Sequence, residues 1–376
     1  TQMRNITCAN GSVVGMFTEA STGFDNYVRF HQLDMSGLQG KDLSVGLFGG
    51  AGTVYVENAD INMTGKNNEY AGLYADPSDT GEKAKVSQFA VAGPFMGNVD
   101  MDDSDGQYTI NGNILADQMN HAKVIEVNLA YMEEKLKQGN LSEDERQLYQ
   151  NAVDSYKKEI VEYRKYGRIN LAGHLKLYGD VYAKNGGTVD LHLQDGSVFE
   201  GQADDYGDYD TAGQLTHRKV DINEDLYQSS LGKFYVWQDV ADMYHQLGVP
   251  YLTAGTINLT MDPGSTWQTR GKSFISSLDF SHGGLVDMRK AAGSSVTIGS
   301  LTGEGGTFLM GFSQDAAKSS MLYVKDLSQS GVQHIQAYLQ PDTRVEDLKG
   351  VRFATTGGDD YKRDPAARFD VALAKD

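Results

Sequence analysis

Gly271-Lys272-Ser273 has the residue types that end a phosphate-binding loop, where consecutive backbone N–H groups wrap a phosphate ahead of a helix. That loop requires G-x-x-x-x-G-K-[ST], and Thr266 stands where its first glycine belongs, with Gly264 two residues too early. Phe274, Ser276, Leu278 and Phe280 then alternate with Ile275, Ser277 and Asp279, the period of a strand. Spacing and context both exclude a phosphate cradle. The eight histidines, His31, His121, His174, His192, His217, His245, His282 and His334, contain no H-x-H or H-E-x-x-H pair that would put two imidazoles on one metal. His174 and His192 fall at the outward parity of strand patterns. No G-x-S-x-G elbow offers a nucleophile. No catalytic, cofactor-binding or metal-ligating residue is therefore expected.

The residues that could bind a partner are acids interleaved with aromatics. Asp204, Asp205, Tyr206, Asp208, Tyr209 and Asp210 are followed by Tyr227, Phe234, Tyr235, Trp237, Tyr244 and His245. Such a mixture suits stacking on sugars or gripping protein. Calcium would need carboxylate oxygens at ordered spacing, and neither this group nor residues 101–106, which begin on Met101, follow the EF-hand pattern. A solvated acidic loop is the alternative reading of both.

Composition narrows what can carry these residues. A chain of 376 residues with 40% apolar content can bury one large core or several, and 43 glycines against 6 prolines suit short strands joined by tight turns. The net charge of −18 repels phosphate backbones and anionic lipid, so nucleic acid is not an expected partner. Cys8 stands alone, which precludes an intrachain disulfide. No apolar run is long enough to cross a bilayer as a helix. The opening residues have neither the charged start nor the apolar core of a signal peptide, so any export signal is expected to have been removed.

Self-similarity gives the architecture. GTVDLHLQDGSVF at 187–199 aligns without a gap on GTINLTMDPGSTW at 255–267, an offset of 68 that pairs Val189 with Ile257, Leu191 with Leu259, Leu193 with Met261 and Phe199 with Trp267. The Gly-Thr opener recurs at Gly52-Thr53 and Gly306-Thr307. A shorter step of 21 places Leu33 and Met35 over Val54 and Val56, and Ile257 and Leu259 over Leu278 and Phe280. Stacked coils are expected: an all-β, right-handed parallel β-helix in which inward side chains pile on equivalent positions. One coil reads as a strand ending at Phe280, a turn over residues 281–284, and a strand with Val286 and Met288 inward. A β-sandwich alternates similarly but does not repeat at a fixed offset.

Two segments break the period. Ala122, Ile125, Leu129, Met132 and Leu136, then Tyr149, Val153, Tyr156, Ile160 and Tyr163, are spaced as two amphipathic helices. Gly139 and Gly167 suit C′ positions, and Ser142 with Glu145 makes a capping box. The expected division is N-terminal coils over 1–115, an inserted αα-hairpin over 116–166, coils over 167–201, an acidic and aromatic insertion over 202–250, and C-terminal coils with a terminal cap over 251–376.

Residues 170–200 and 255–375 resemble the end of a pertactin-like autotransporter passenger, through Gly264, Ser265 and Trp267; Leu278 and Phe280; Gly284, Val286 and Met288; and Gly299, Leu301, Gly303, Gly305, Phe308 and Met310. The resemblance implies a last hairpin of 320–324 against 332–339, export to the bacterial cell surface, and passage through an outer-membrane barrel for which these residues leave no room. It also implies folding that starts from C-terminal coils, an autochaperone region whose core would be Trp267, Leu278, Phe280, Val286, Met288, Phe308 and Met310. The function so implied is a surface adhesin without cofactor, binding a host or matrix protein or glycan, or another copy of itself in aggregation and biofilm. A secreted β-helix polysaccharide lyase or hydrolase is the alternative, against which no Lys/Arg cluster occupies one strand face.

Overall fold

The computed structural model describes residues 1–8, 13–18, 27–40, 43–50, 52–63, 86–92, 97–118, 121–209, 215–217, 254–327, 329–341, 343–348, 354–356 and 368–374. Strands dominate, and nearly all belong to one parallel arrangement. Each coil contributes up to three short strands, so equivalent strands stack into three faces, the first of which includes Asn113–Asp117, Val181–Lys184 and Ala203–Asp204.

The second face is the clearest. Thr188–Leu193 pairs in parallel with Arg168–Gly173 on one side and Thr256–Met261 on the other, and Val189, Leu191 and Leu193 sit directly beside Ile257, Leu259 and Met261. The repeat at 68 residues is thus a physical register, because strands whose inward residues match bury each other's flanks best. The third face carries the core column. Met35, Ile61, Ile110, Leu177, Phe199, Trp267, Val286, Phe308 and Ile335 are register partners in sequence along the rod. Phe199 lies flat on Trp267 with ring centroids 5.6 Å apart, and the indole N–H donates to the Gly201 carbonyl at 3.1 Å. Both side chains are fully buried. An unpaired indole N–H there would cost about 1–3 kcal/mol, so the bond fixes which way the ring enters the core.

One strand can serve two faces. Arg168–Tyr178 runs along the second face, bends at Gly173 and continues along the third. Gly173 has φ +129, and a Cβ there would meet the Asp103 carbonyl oxygen at 2.7 Å. Only glycine fits this bend without displacing the neighbouring coil.

Two expectations need correction. The step of 21 does not exist as a register: Leu33 and Met35 pair with Ala59 and Ile61, whereas Leu259 and Met261 pair with Leu278 and Phe280. Coil length varies with its turns, and inward alternation looks alike on every face, so a step of 21 from Leu33 lands on Val54, a residue of a different face. The terminal hairpin is also absent. Met321–Asp326 pairs in parallel with Ser295–Ser300 and Ala354–Thr356, and Val332–Leu339 pairs in parallel with Thr307–Phe312 and Arg368–Leu373. Alternating residues such as Leu322 and Val324, or Ile335 and Ala337, bury equally well in either arrangement. The neighbouring coils decide, and the winding continues where a cap was expected.

The helices α1, His121–Leu136, and α2, Glu143–Tyr163, occupy the interval between strands Asn113–Asp117 and Arg168–Tyr178. Ion pairs Glu133–Lys157 and Glu126–Arg164 set their chain directions opposite. The Ser142 hydroxyl accepts from the Glu145 N–H at 3.3 Å, and the Glu145 carboxylate accepts from the Ser142 N–H at 2.9 Å, completing the capping box. Neither glycine takes the C′ position expected of it: the C-cap of α2 is Arg164, with the left-handed Gly167 (φ +71) three residues beyond, and α1 ends at Leu136, with Gly139 not among the left-handed glycines.

Candidate functional site

The site begins with where the chain leaves the rod. In three successive coils it passes from the first face to the second at residues 118–167, 185–187 and 205–255. Both long interruptions therefore leave one corner. Adjacent strands are about 4.8 Å apart, so the two exits, with one short turn between them, lie ~10 Å apart along the axis.

Buried polar groups hold that corner. Lys184 and Asp117 are register partners on neighbouring strands of the first face, with Nζ 3.4 Å from Oδ2 and both side chains almost wholly buried. The Asn185 side chain donates to Asp117 Oδ1 at 3.1 Å, and Asn185 takes a left-handed φ of +52. Gln118 donates to the carbonyls of Tyr163 at 2.7 Å and Tyr166 at 3.1 Å, supplying partners for carbonyl groups at the end of α2. The Gly186 N–H reaches the Ala254 carbonyl, and the Gly255 N–H reaches that of Asp205. The entry of the first interruption, at Asp117, and the return of the second, at Ala254, are thus bonded to the turn between them, and the two ends of the second are bonded to each other.

The acidic and aromatic residues divide into two groups. Asp204 accepts the Tyr206 N–H at 2.8 Å. Asp205, buried, accepts the Gly207 N–H at 2.8 Å and the Ser276 hydroxyl at 2.7 Å. Tyr206 is buried, has φ +57 and stacks on Tyr182 at 6.4 Å. These three turn the chain into the interruption. Asp208 and Tyr209 lie on a short strand, Gly207–Tyr209, antiparallel to Leu215–His217. Asp210, Tyr227, Tyr235 and Trp237 lie outside the described residues. Trp267, Leu278, Phe280, Val286, Met288, Phe308 and Met310 are all fully buried in the core.

Sequence reasoning missed Lys184, Asp117 and Asp100. All three stand at outward parity, which reads as solvent, yet the first two are buried where the chain leaves the rod. Asp100, on the second face, has its carboxyl pushed up to about 6 by burial first and then by the neighbouring Asp102 carboxylate, against one long hydrogen bond from Asn170. Burial raises Asp180 as well, opposed by the Gln202 N–H and the Tyr182 hydroxyl. Among the described residues no group of three or more His, Cys, Asp or Glu is gathered as a metal would require. No helix of the described residues is long and apolar enough to cross a membrane.

No protein-family profile, no curated protein and no solved structure matches this chain.

Proposed function

We propose that the chain is the extracellular passenger of an autotransporter, a right-handed β-helix that acts as an adhesin at the bacterial surface. In this reading the coils are a stiff acidic spacer, the αα-hairpin of α1 and α2 and the 205–255 interruption are its gripping parts, and the partner is a host or matrix protein or glycan, or a second copy. The observation that carries it is the shared corner. Solenoid coils need only short turns, as Lys184-Asn185-Gly186-Gly187 demonstrates in the middle coil. Two long interruptions two coils apart on the same corner, an end of each bonded to the short turn between them, concentrate whatever they do within about 10 Å along the rod. Fold alone assigns no function, so the reading rests on that placement.

The test replaces residues 119–166, or 210–250, by a four-residue turn copied from residues 184–187 and measures clumping and host-cell binding of cells displaying each form. Loss of either behaviour with surface display intact is the expected result. Undiminished adhesion by both deletions, or depolymerisation of an acidic glycan by the purified chain, would overturn the adhesin reading, the latter in favour of a lyase or hydrolase.

A further inference from the structure

The second face presents its outward side chains in columns, because parallel strands in register set like positions one above another. The central column runs from Arg29 and Tyr55 through Asp100, Asn170, Asp190 and Asn258 to Ser277 and Ser300. A flanking column begins with Tyr27, Thr53, Asn98 and Arg168. Two features make this face unlike a generic solvated surface.

The first is aromatic. Tyr27 is 73% exposed and Tyr55 39%, on neighbouring strands, with ring centroids 6.3 Å apart and planes inclined at 76°. Neither ring fills the core, and both leave apolar surface in water. The second is a chain of hydrogen bonds along the column: Arg168 to Asp190 at 2.6 Å, Asn258 to Asp190 at 2.8 Å, and Ser277 to Asn258 at 2.7 Å. These bonds fix the rotamers before any ligand arrives, while the carboxylate and amide groups have the capacity for further hydrogen bonds. Flat rings beside a rigid row of planar amides and carboxylates fit a polyhydroxylated chain, whose C–H faces stack on aromatics and whose neighbouring hydroxyls bridge such groups.

Charge selects among glycans. Arg29, beside Tyr55, is paired with Glu57 and Arg168 with Asp190, so among the described residues these columns hold no uncommitted cation for a sulfate or carboxylate, and Asp100 and the overall charge of −18 oppose both. We propose that the second face binds an uncharged glycan lying along the rod axis, anchored by Tyr27 and Tyr55. This rests on the adhesin reading and names a ligand class for it, on residues other than the two interruptions.

The probe is the purified full chain on an array of neutral, sialylated and sulfated glycans. Retention on neutral glycans is expected, with the Tyr27→Ala/Tyr55→Ala double variant losing at least about tenfold in affinity, the scale of two lost aromatic contacts. The Tyr27→Phe/Tyr55→Phe variant should keep most of the binding, since the rings remain. An unchanged thermal midpoint for both variants separates ligand contact from folding. Absence of retention on every neutral glycan, equal retention by the alanine variant, or preference for sulfated or sialylated glycans would overturn the proposal. Cells that still clump through the interruptions while the purified chain ignores glycans would leave the adhesin reading standing and remove only this inference.

Discussion

Lys184 has the side chain least suited to its location. A fully buried ammonium is tolerable only with its charge matched; Asp117 supplies the match, and Asn185 donates to the other oxygen of that carboxylate. Lys184→Met leaves the buried Asp117 carboxylate without its cation and should destabilise the chain by about 3–5 kcal/mol in urea unfolding. Pairing it with Asp117→Leu should recover most of that loss, because well-packed apolar side chains replace buried ion pairs at little cost. Asp100 makes a pH prediction. Its folded-state pKa of about 6 lies above the ~3.9 of an unfolded aspartate, so its contribution to stability is complete below the unfolded value and is lost as pH rises through 6. Asp100→Asn, which keeps a hydrogen-bonding group and removes the charge, should therefore raise the thermal midpoint at pH 7.5 and make it less dependent on pH between about 4 and 6. An unchanged pH dependence in that variant would show that Asp100 does not titrate in this range.

At the scale of elements, helices and coils make different demands. The α2 start depends on reciprocal bonds between Ser142 and Glu145, and Ser142→Ala should cost roughly 1 kcal/mol of helix stability, measured as faster amide exchange in the first turn of α2. A coil depends instead on its stack. Trp267→Ala removes a fully buried ring and leaves the Gly201 carbonyl without its donor, a loss of about 3–5 kcal/mol, and under the proposed C-terminal folding seed it should lower surface display more than Val54→Ala. Equal display of the two would remove the seed. The sequence made the stack legible where successive strands are alike: Val189, Leu191 and Leu193 matched Ile257, Leu259 and Met261, and the structure pairs them. It misled where turns change length, since Leu33 sits beside Ala59 and not Val54. It also misled at the C-terminal end, where alternation is the same in a hairpin and a coil. Of the candidate site, the interruptions were visible as breaks in period, but their common corner was not. That depends on which face each neighbouring strand joins, a property of tertiary pairing that alternation does not carry.

Taken whole, the molecule is a parallel stack whose stability is a sum of intrinsic coil terms and contacts with the coils above and below. Such a rod tolerates long excursions from a turn because they interrupt no ladder, and it therefore permits both interruptions at one corner. The account stands on the register that brackets residues 205–255, with Thr188 beside Thr256 although 68 positions separate them. Nitroxide labels attached at Thr188→Cys and Thr256→Cys, in a background with Cys8→Ser, measure that register directly by dipolar broadening of their spectra. Strong broadening is expected, since backbones one coil apart lie about 4.8 Å from each other. Spectra no broader than the sum of the two singly labelled proteins would mean that these strands are not neighbours, and the stacked rod with its shared corner would be wrong.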